Sequence, residues 1–513
     1  MRRAHRLVRW LIQLAFLALF MLLFVRARHG VSQVLGDIFY RFDPLVFIIT
    51  SIALRTVLAA GLVSLVVLAS TLVFGRFFCG FACPLGTVID VSDSLLHRKP
   101  KPADSTRRIK YALLLFLVVA ALLGVSLAGL LDPLAILGRS LALGFYPVAS
   151  YLAGLATSFR PAVFAETFVA LVVFVTILLL GLVAPRFWCR NLCPLGGLLG
   201  LGSKVSLFKF SFTDECRQCG LCAEVCPTGA IGRRTESDTR GQDAECRTDE
   251  GRIEIDSGEC IGCLACLYRC PHRAVSYRVR FRPARFDIGR REAIVAVGSG
   301  LVLAPLAGSL IHERLQARLI RPPGSVPERE FLSACVRCGR CLKACPTNGL
   351  QPCVLEAGLA GIWTPRLVPR VGGCESSCNL CGQVCPTGAI RRLNLEEKSY
   401  ARIGTAVVDR SRCLAWEQDR ACLVCDEACP YNAIEARAGP GTVLCPVVDE
   451  RICVGCGLCE SRCPIDGPAA IQVFSLGAER RRSGSYKTEE KVRLRQCGEE
   501  PAEDIPSGFI QEQ

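Results

Sequence analysis

Cys216-x2-Cys219-x2-Cys222-x3-Cys226-Pro227, followed by Cys260-x2-Cys263-x2-Cys266-x3-Cys270-Pro271, is the stretch whose reading decides the fold. Three thiolates in one tight loop can hold three corners of a cubane iron–sulfur cluster. The fourth, turned away by the proline, reaches the other cluster of a two-cluster ferredoxin. The pattern predicts an α+β module of the bacterial two-[4Fe–4S] kind. Zinc is the competing use of clustered cysteines, but zinc sites draw on separated Cys-x2-Cys pairs that close one tetrahedron, not on four cysteines in a run ending at proline.

Outward from this module, composition narrows the chemistry. The chain has 513 residues, room for several domains, and its 32 cysteines far exceed ordinary usage. Their repeated x2-x2-x3 runs fit metal ligation better than a disulfide framework, which also needs an oxidising compartment. The five histidines (His5, His29, His97, His272, His312) and two methionines give no set of axial haem ligands in the apolar segments, so no haem is expected. No Gly-x-Gly-x-x-Gly follows a strand and no phosphate-binding loop is present, so neither flavin nor nucleotide is expected. The net charge of +15 would suit nucleic acid. The basic residues lie in short loops beside apolar spans, where membrane orientation accounts for them, and no nucleic-acid partner is expected.

Upstream, Leu7–Val25 is apolar over the roughly 20 residues that a bilayer core requires, behind Arg2, Arg3 and Arg6. Further spans are expected at Thr56–Phe74, Tyr111–Leu131 and Thr167–Ala184. The basic loop Arg98–Lys110 puts the end of span two on the cytoplasmic side, in agreement with the N-terminal arginines. The four spans read as one unit used twice. Asp43-Pro44-Leu45 precedes span two, which ends in Arg76-Phe77-Phe78-Cys79-x3-Cys83-Pro84-Leu85-Gly86; Asp132-Pro133-Leu134 precedes span four, which ends in Arg186-Phe187-Trp188-Cys189-x3-Cys193-Pro194-Leu195-Gly196. The expected fold is thus membrane α-helical, a four-helix duplicated hairpin plus one further span, joined to two-cluster ferredoxin modules. Each Asp-Pro reads first as a helix N-cap with proline at the first helical position. Asp43, Asp132 and Glu166 are also the candidates for a proton-handling role, since carboxylates at membrane depth are costly. Cys79, Cys83, Cys189 and Cys193 read either as small packing residues at a helix end or as redox thiols or metal ligands.

Downstream, a basic run from Tyr277 leads to Gly289-Arg290-Arg291 and a mildly apolar stretch to Ile311, similar to a twin-arginine export signal or a fifth span. Four more cysteine runs follow: Cys335, Cys338, Cys341, Cys345; Cys374, Cys378, Cys381, Cys385, with one inserted residue; Cys413, Cys422, Cys425, Cys429, looser in its first gap; and Cys453, Cys456, Cys459, Cys463. Six [4Fe–4S] clusters are expected in all. The distal four motifs pair either in sequence or nested, and spacing leaves both open. Cys246, Cys353, Cys445 and Cys497 are expected to be unliganded. The domains are read as 1–205, a membrane domain with two Cys-x3-Cys-Pro motifs; 206–285, the first ferredoxin module; 286–314, the twin-arginine-like segment; 315–476, a four-cluster polyferredoxin; and 477–513, a charged tail.

Residues 1–280, with the paired Cys-x3-Cys-Pro motifs and the two-cluster module, resemble the NapH-type membrane polyferredoxins of periplasmic nitrate reductase systems. Residues 290–475, with the twin arginine and four cysteine motifs, resemble the NapG/MauM-type four-cluster ferredoxins. The chain looks like both fused. The resemblance implies a quinol dehydrogenase module of the bacterial inner membrane that draws on the quinone pool and passes electrons to a periplasmic reductase or cytochrome. The N-terminus and first ferredoxin module would be cytoplasmic and the distal polyferredoxin periplasmic. A second reading is an assembly factor that supplies electrons or a metal to a maturing respiratory enzyme. The chain departs from the family in being fused and in the insertions of its fourth and fifth motifs.

Overall fold

The computed structural model describes residues 2–26, 37–96, 105–156, 164, 167–233, 253–279, 289–309 and 317–492. Its helices of eight or more residues are α1 (Arg2–Arg26), α2 (Pro44–Leu54), α3 (Ser64–Phe74), α4 (Pro84–Leu96), α5 (Ile109–Leu122), α6 (Pro133–Ser140), α7 (Tyr146–Ala156), α8 (Thr167–Leu179), α9 (Pro194–Lys204) and α10 (Arg290–Ser309). The strands are β1 (Phe208–Phe212), β2 (Ile231–Arg233), β3 (Ile253–Ile255), β4 (Val275–Val279), β5 (Leu350–Pro352), β6 (Pro365–Leu367), β7 (Thr405–Val408), β8 (Ile434–Ala438), β9 (Leu444–Val448) and β10 (Ile471–Phe474).

The spans expected at Thr56–Phe74 and Tyr111–Leu131 are not unbroken helices, whereas the one expected at Thr167–Ala184 is a continuous apolar helix over Thr167–Leu182 whose last turn is tighter. Arg55 takes a left-handed conformation and ends α2, a short tight turn follows at Ala59–Gly61, and α3 starts only at Ser64. Gly124, at φ +83°, follows the end of α5 at Leu122. The sequence reading also treated α2 and α6 as lead-ins to spans, whereas each is a separate short helix starting at its Asp-Pro. Among the described residues, Leu7–Arg26 is the helix long and apolar enough to cross a bilayer, and Pro44–Leu54, Ser64–Phe74 and Thr167–Leu182 are shorter apolar helices.

Two directions of travel organise the bundle. In α1, Gln13 Nε2 donates to Gly80 O (2.9 Å) near one end, while the carbonyls of Phe24 and Val25 accept from Lys343 Nζ at the other. Helix α10 runs alongside α5 in the same direction: Gly289 lies by Arg108 and Gly300 lies against Val119, where any side chain would collide. Helices α3 and α8 lead into the two Cys-x3-Cys-Pro turns. Leu45, Ile49, Leu117, Leu134, Leu195 and Leu199 form the dry centre between these helices. The outer faces carry large exposed apolar side chains instead, among them Leu11, Leu22, Val66, Phe168, Val172 and Leu303.

The cluster-binding part is built from three copies of one small unit. In the first, β1 pairs antiparallel with β4 and β2 with β3. In the last, β7 pairs with β10 and β8 with β9. The middle unit keeps the inner pair as β5 with β6 and reduces the outer pair to a single bridge, Ser325 with Ile390. With strands of three to five residues, such units bury little apolar area. Their cores are largely cysteine: Cys222, Cys226, Cys453 and Cys459 are buried among alanines and isoleucines.

Candidate electron-transfer centres

The fourth cysteine of each run turns away as its proline requires. Cys216, Cys219, Cys222 and Cys270 line one cavity and Cys226, Cys260, Cys263 and Cys266 another, so the two runs of the first module exchange their last thiols. The same exchange settles the distal pairing. Cys335, Cys338 and Cys341 share a cavity with Cys385. Cys345 returns to Cys374, Cys378 and Cys381, as their mutual electrostatic influence requires. Cys413, Cys422 and Cys425 meet Cys463, and Cys453, Cys456 and Cys459 meet Cys429. The motifs therefore pair in sequence and are not nested.

These sites suit a cluster better than an ion. No group of three or more His, Cys, Asp or Glu among the described residues closes around a single-ion position. The Cys-Pro thiols accept backbone hydrogen bonds: Ala230 N to Cys226 Sγ is 3.2 Å, Ala274 N to Cys270 Sγ 3.4 Å and Ala433 N to Cys429 Sγ 3.4 Å. Such bonds favour the thiolate and tune cluster potential. In the four regular runs, two residues flanking the second cysteine are left-handed: Gln218 and Gly220, Gly262 and Leu264, Arg337 and Gly339, Gly455 and Gly457. Consecutive turns of this kind aim N–H groups into a concavity fit for an anionic centre. The runs with inserted residues depart from this, since Asn379 and Leu423 have negative φ. Burial, reinforced by neighbouring thiols, pushes Cys335 up to about 11 and Cys260 up to about 12; a bound metal would hold such sulfurs as thiolates. Of the cysteines outside the runs, Cys353 is buried beside Arg321 and Cys445 donates to Ala415 O (3.4 Å); Cys246 and Cys497 lie outside the described residues.

The units are joined in a definite order. Cys374 N donates to Cys456 O (2.7 Å), which puts the second motif of the middle unit against the second motif of the last. The sites therefore follow one another as Cys335, Cys374, Cys453 and Cys413, naming each by its first cysteine. The Cys335 loop rests on the bundle: Arg337 Nη1 donates to Ser126 O (2.9 Å), Ser333 Oγ to Gly124 O (2.6 Å), and the Arg139 guanidinium lies 3.9 Å from the Trp363 ring centroid.

The first module grips the opposite end. Arg76 Nη1 donates to Gly258 O (2.7 Å) and pairs with Glu259 (3.4 Å), and Lys110 Nζ lies 2.6 Å from Glu259 Oε1. Burial opposes ionisation of Glu259, but Lys110 and Arg76 outweigh it and hold the carboxyl below its ordinary range. The sequence reading missed Glu259 because a lone Glu beside a cysteine run carries no signal. Its partners, at the loop that orients the helices and at the repeated Arg-Phe, were the only hint.

The duplicated motifs are brought together twice. Cys79, Cys83, Cys189 and Cys193 converge where α4 and α9 begin. Asp43 and Asp132 also meet. Asp43 Oδ1 accepts from Leu45 N (2.9 Å) and Asp132 Oδ2 from Ala135 N (2.8 Å), the N-caps that the Asp-Pro pairs predict. Asp43 Oδ2 and Asp132 Oδ1 are both buried without a hydrogen-bond partner among the described residues, and the two carboxyls lie near enough to influence one another. Double ionisation of two buried carboxyls this near each other is costly, and one proton held between them would satisfy both oxygens. Glu166, the third candidate, lies outside the described residues.

Comparison with known proteins agrees with this anatomy. Residues 56–102 and 166–213 each match a family described as a 4Fe-4S binding domain, residues 215–274 a 4Fe-4S dicluster domain, and residues 331–351 a further 4Fe-4S binding domain. The chain is 36% identical to the ferredoxin-type protein NapG of Escherichia coli over 220 residues, 40% of this chain and 94% of that protein. It is 37% identical to the methylamine utilization ferredoxin-type protein MauM of Paracoccus denitrificans over 206 residues, 38% of this chain and 88% of that one. It is 29% identical to the ferredoxin-type protein NapH of Haemophilus influenzae over 228 residues, 42% of this chain and 67% of the relative. With nearly all of NapG and MauM covered at more than a third identity, the chain belongs to the NapG/MauM family of ferredoxin-type proteins and is an iron–sulfur electron-transfer protein.

Proposed function

We propose that this chain is a membrane-bound quinol dehydrogenase component, a NapH-like part fused to a NapG-like part, which relays electrons through about six [4Fe–4S] clusters to a respiratory reductase or cytochrome outside the membrane. The observation that carries the reading is the position of the helical bundle between two cluster-binding parts, with Gly258 and Glu259 of the first module at one end and Ser333 and Arg337 of the distal part at the other. The apolar outer faces of α1, α3, α8 and α10 suit lipid, and contiguous apolar surface of this kind marks a covered face. Sidedness follows from the arginine-rich loops: the N-terminus and first module inside, the distal part outside.

Oxidation of one quinol yields two electrons and two protons. The Asp43–Asp132 pair accepts one of these protons in this reading, since two adjacent buried carboxylates gain most from a first shared proton, and the other proton is released to water. It lies close to a cluster site: Asp132 acts electrostatically on Tyr40 and Arg139, and both of these feel Cys338. The 24 motif cysteines hold the clusters, which supply one-electron redox chemistry when bound. The test is anaerobic: protein in lipid is mixed with a reduced menaquinone analogue while absorbance and EPR are followed. Cluster reduction that a quinone-site inhibitor abolishes supports the reading. Clusters that reduce with dithionite but not with quinol overturn it.

A further inference from the structure

The second run of the middle unit, Cys374-x3-Cys378, lacks the device that lines the regular runs. Neither Ser377 nor Asn379 is left-handed, so the backbone around its second cysteine makes no such concavity of N–H groups. A lysine stands there instead. Lys398 Nζ donates to Glu375 O and to Ser376 O (3.3 Å), inside the loop that carries the insertion. Lys398 is only 4% exposed. The buried cations Arg76 and Lys110 face Glu259, Arg186 faces Asp90 and Arg321 faces Glu328. Lys398 differs: among the described residues its partners are carbonyls, and the groups it acts on electrostatically are the thiols of Cys374, Cys378 and Cys381.

The element that carries this lysine is itself held on both sides. Asn394 caps the short helix Leu395–Ser399, its Oδ1 accepting from Glu397 N (2.6 Å). The beginning of the charged tail packs on that helix. Tyr486 is fully buried against Leu393 and Ala401. Tyr486 N donates to Glu397 Oε1 (3.2 Å), Lys487 Nζ to Glu396 Oε1 (2.5 Å) and Lys491 Nζ to Tyr400 O (3.0 Å). An inserted loop does not of itself call for a buried cation. The run with the longer insertion is tied down by an exposed carboxylate: Asp419 Oδ1 accepts from Thr442 N (2.8 Å) and Val443 N (3.1 Å) at the turn between β8 and β9.

We propose that Lys398 is a positioning residue for electron transfer: its buried ammonium takes the place of the missing turn and holds the Cys374 site at a higher reduction potential than the cysteines and their loop would give it alone. Four thiolates make a cubane cluster anionic, and reduction adds one more negative charge with no bond or proton changing hands. A buried cation beside the sulfurs stabilises the reduced form more than the oxidised one, because net charge and burial at the sulfurs set the potential. The second site in the distal order therefore keeps an electron more readily. The inference rests on electron transfer alone, and neither quinol nor the direction of flow enters it.

The test is an EPR-monitored redox titration of the anaerobically reconstituted full chain in lipid, in which the signal of this site is the one that Cys381→Ser removes or alters. Lys398→Gln keeps a donor for the loop carbonyls and loses the charge. It is expected to lower the reduced-to-oxidised ratio of that one signal, at a fixed potential, on the order of ten- to a hundredfold, about 59 mV per tenfold, with iron and sulfide per chain unchanged. Lys398→Arg is expected to restore the parent midpoint. Should Lys398→Gln lose the cluster while Lys398→Arg retains it, the charge is again what the site requires, and the proposal is supported. An unmoved midpoint in Lys398→Gln, an equal shift in both variants, or loss of about four irons in both overturns it, since the side chain would then be only a prop for the loop. None of these readouts uses quinol, so failure of the quinol test leaves this one standing.

Discussion

Glu259→Ala removes the one carboxylate set between Lys110 and Arg76 where the first module meets the bundle. The side chains are 4%, 0% and 2% exposed, so solvent cannot replace the lost partner. Breaking a buried pair by deleting one member costs about 3–5 kcal/mol, because the remaining charge stays buried. Here two cations are stranded. At about 1.4 kcal/mol per decade, the opening equilibrium of this docking surface shifts on the order of 10²- to 10⁴-fold. Amide exchange of the metallated full chain in lipid reads it directly: protection across residues 253–279 falls by that factor, while β7 to β10 in the distal unit are unaffected. Double removal, Glu259→Ala with Lys110→Met, recovers part of the loss. Unchanged protection at 253–279 would show that the ion pairs decorate a surface held by something else, and would refute the reasoning.

The same carboxyl gives a pH dependence. Its folded value lies below the ordinary one, so its contribution is full above the unfolded carboxylate value of about 4.3 and is lost as pH falls through the lowered folded value; exchange at 253–279 measured down an acid series checks the sign. Asp43→Asn keeps an oxygen for the cap on Leu45 N but cannot share a proton as an acid, so cluster content stays constant while quinol-driven cluster reduction slows on the order of 10²- to 10⁴-fold in stopped-flow absorbance. Gly373→Ala forces a methyl to 2.7 Å from Leu458 N at the junction of the two distal units. It is expected to cost about 1–3 kcal/mol and to weaken the EPR spin coupling between the Cys374 and Cys453 sites. Stripping iron is expected to collapse the β7–β10 unit, because strands of four and five residues around buried thiols have too little apolar core to persist alone, and far-UV dichroism follows the loss.

The cluster chemistry was legible because cysteine spacing is itself the geometry: x2-x2-x3 and a proline dictate which three thiols converge and which one leaves. Pairing of the distal motifs was not legible. It is decided by strand partners, β7 with β10 and β8 with β9, whose short segments carry no distinctive pattern. In the bundle, the repeat of Asp-Pro and Cys-x3-Cys-Pro was visible, and the N-caps were read correctly. The breaks were not, because hydropathy sums over windows longer than α2 or α6 and blurs a short helix into the next. Nothing in the sequence said that the two copies would face each other at both motifs, since that depends on how the halves pack around Leu45 and Leu134.

That packing explains why duplication is useful here. A single Asp-Pro cap buries one carboxylate whose second oxygen lacks a donor, a cost with no return. On the proposed reading, two such caps facing each other satisfy that oxygen with one shared proton, and the pair serves as a two-state proton store. The two Cys-x3-Cys-Pro turns likewise meet only because the two halves pack against one another. Half of the chain thus cannot assemble either site. The perturbation that separates this account from two independent hairpins is asymmetric: Asp132→Ala leaves the α6 cap unmade and also frees Asp43 to ionise, so infrared difference spectra should lose the protonated carboxyl band although Asp43 is intact. Persistence of that band in Asp132→Ala would mean that the proton belongs to Asp43 alone, and the paired reading would fail.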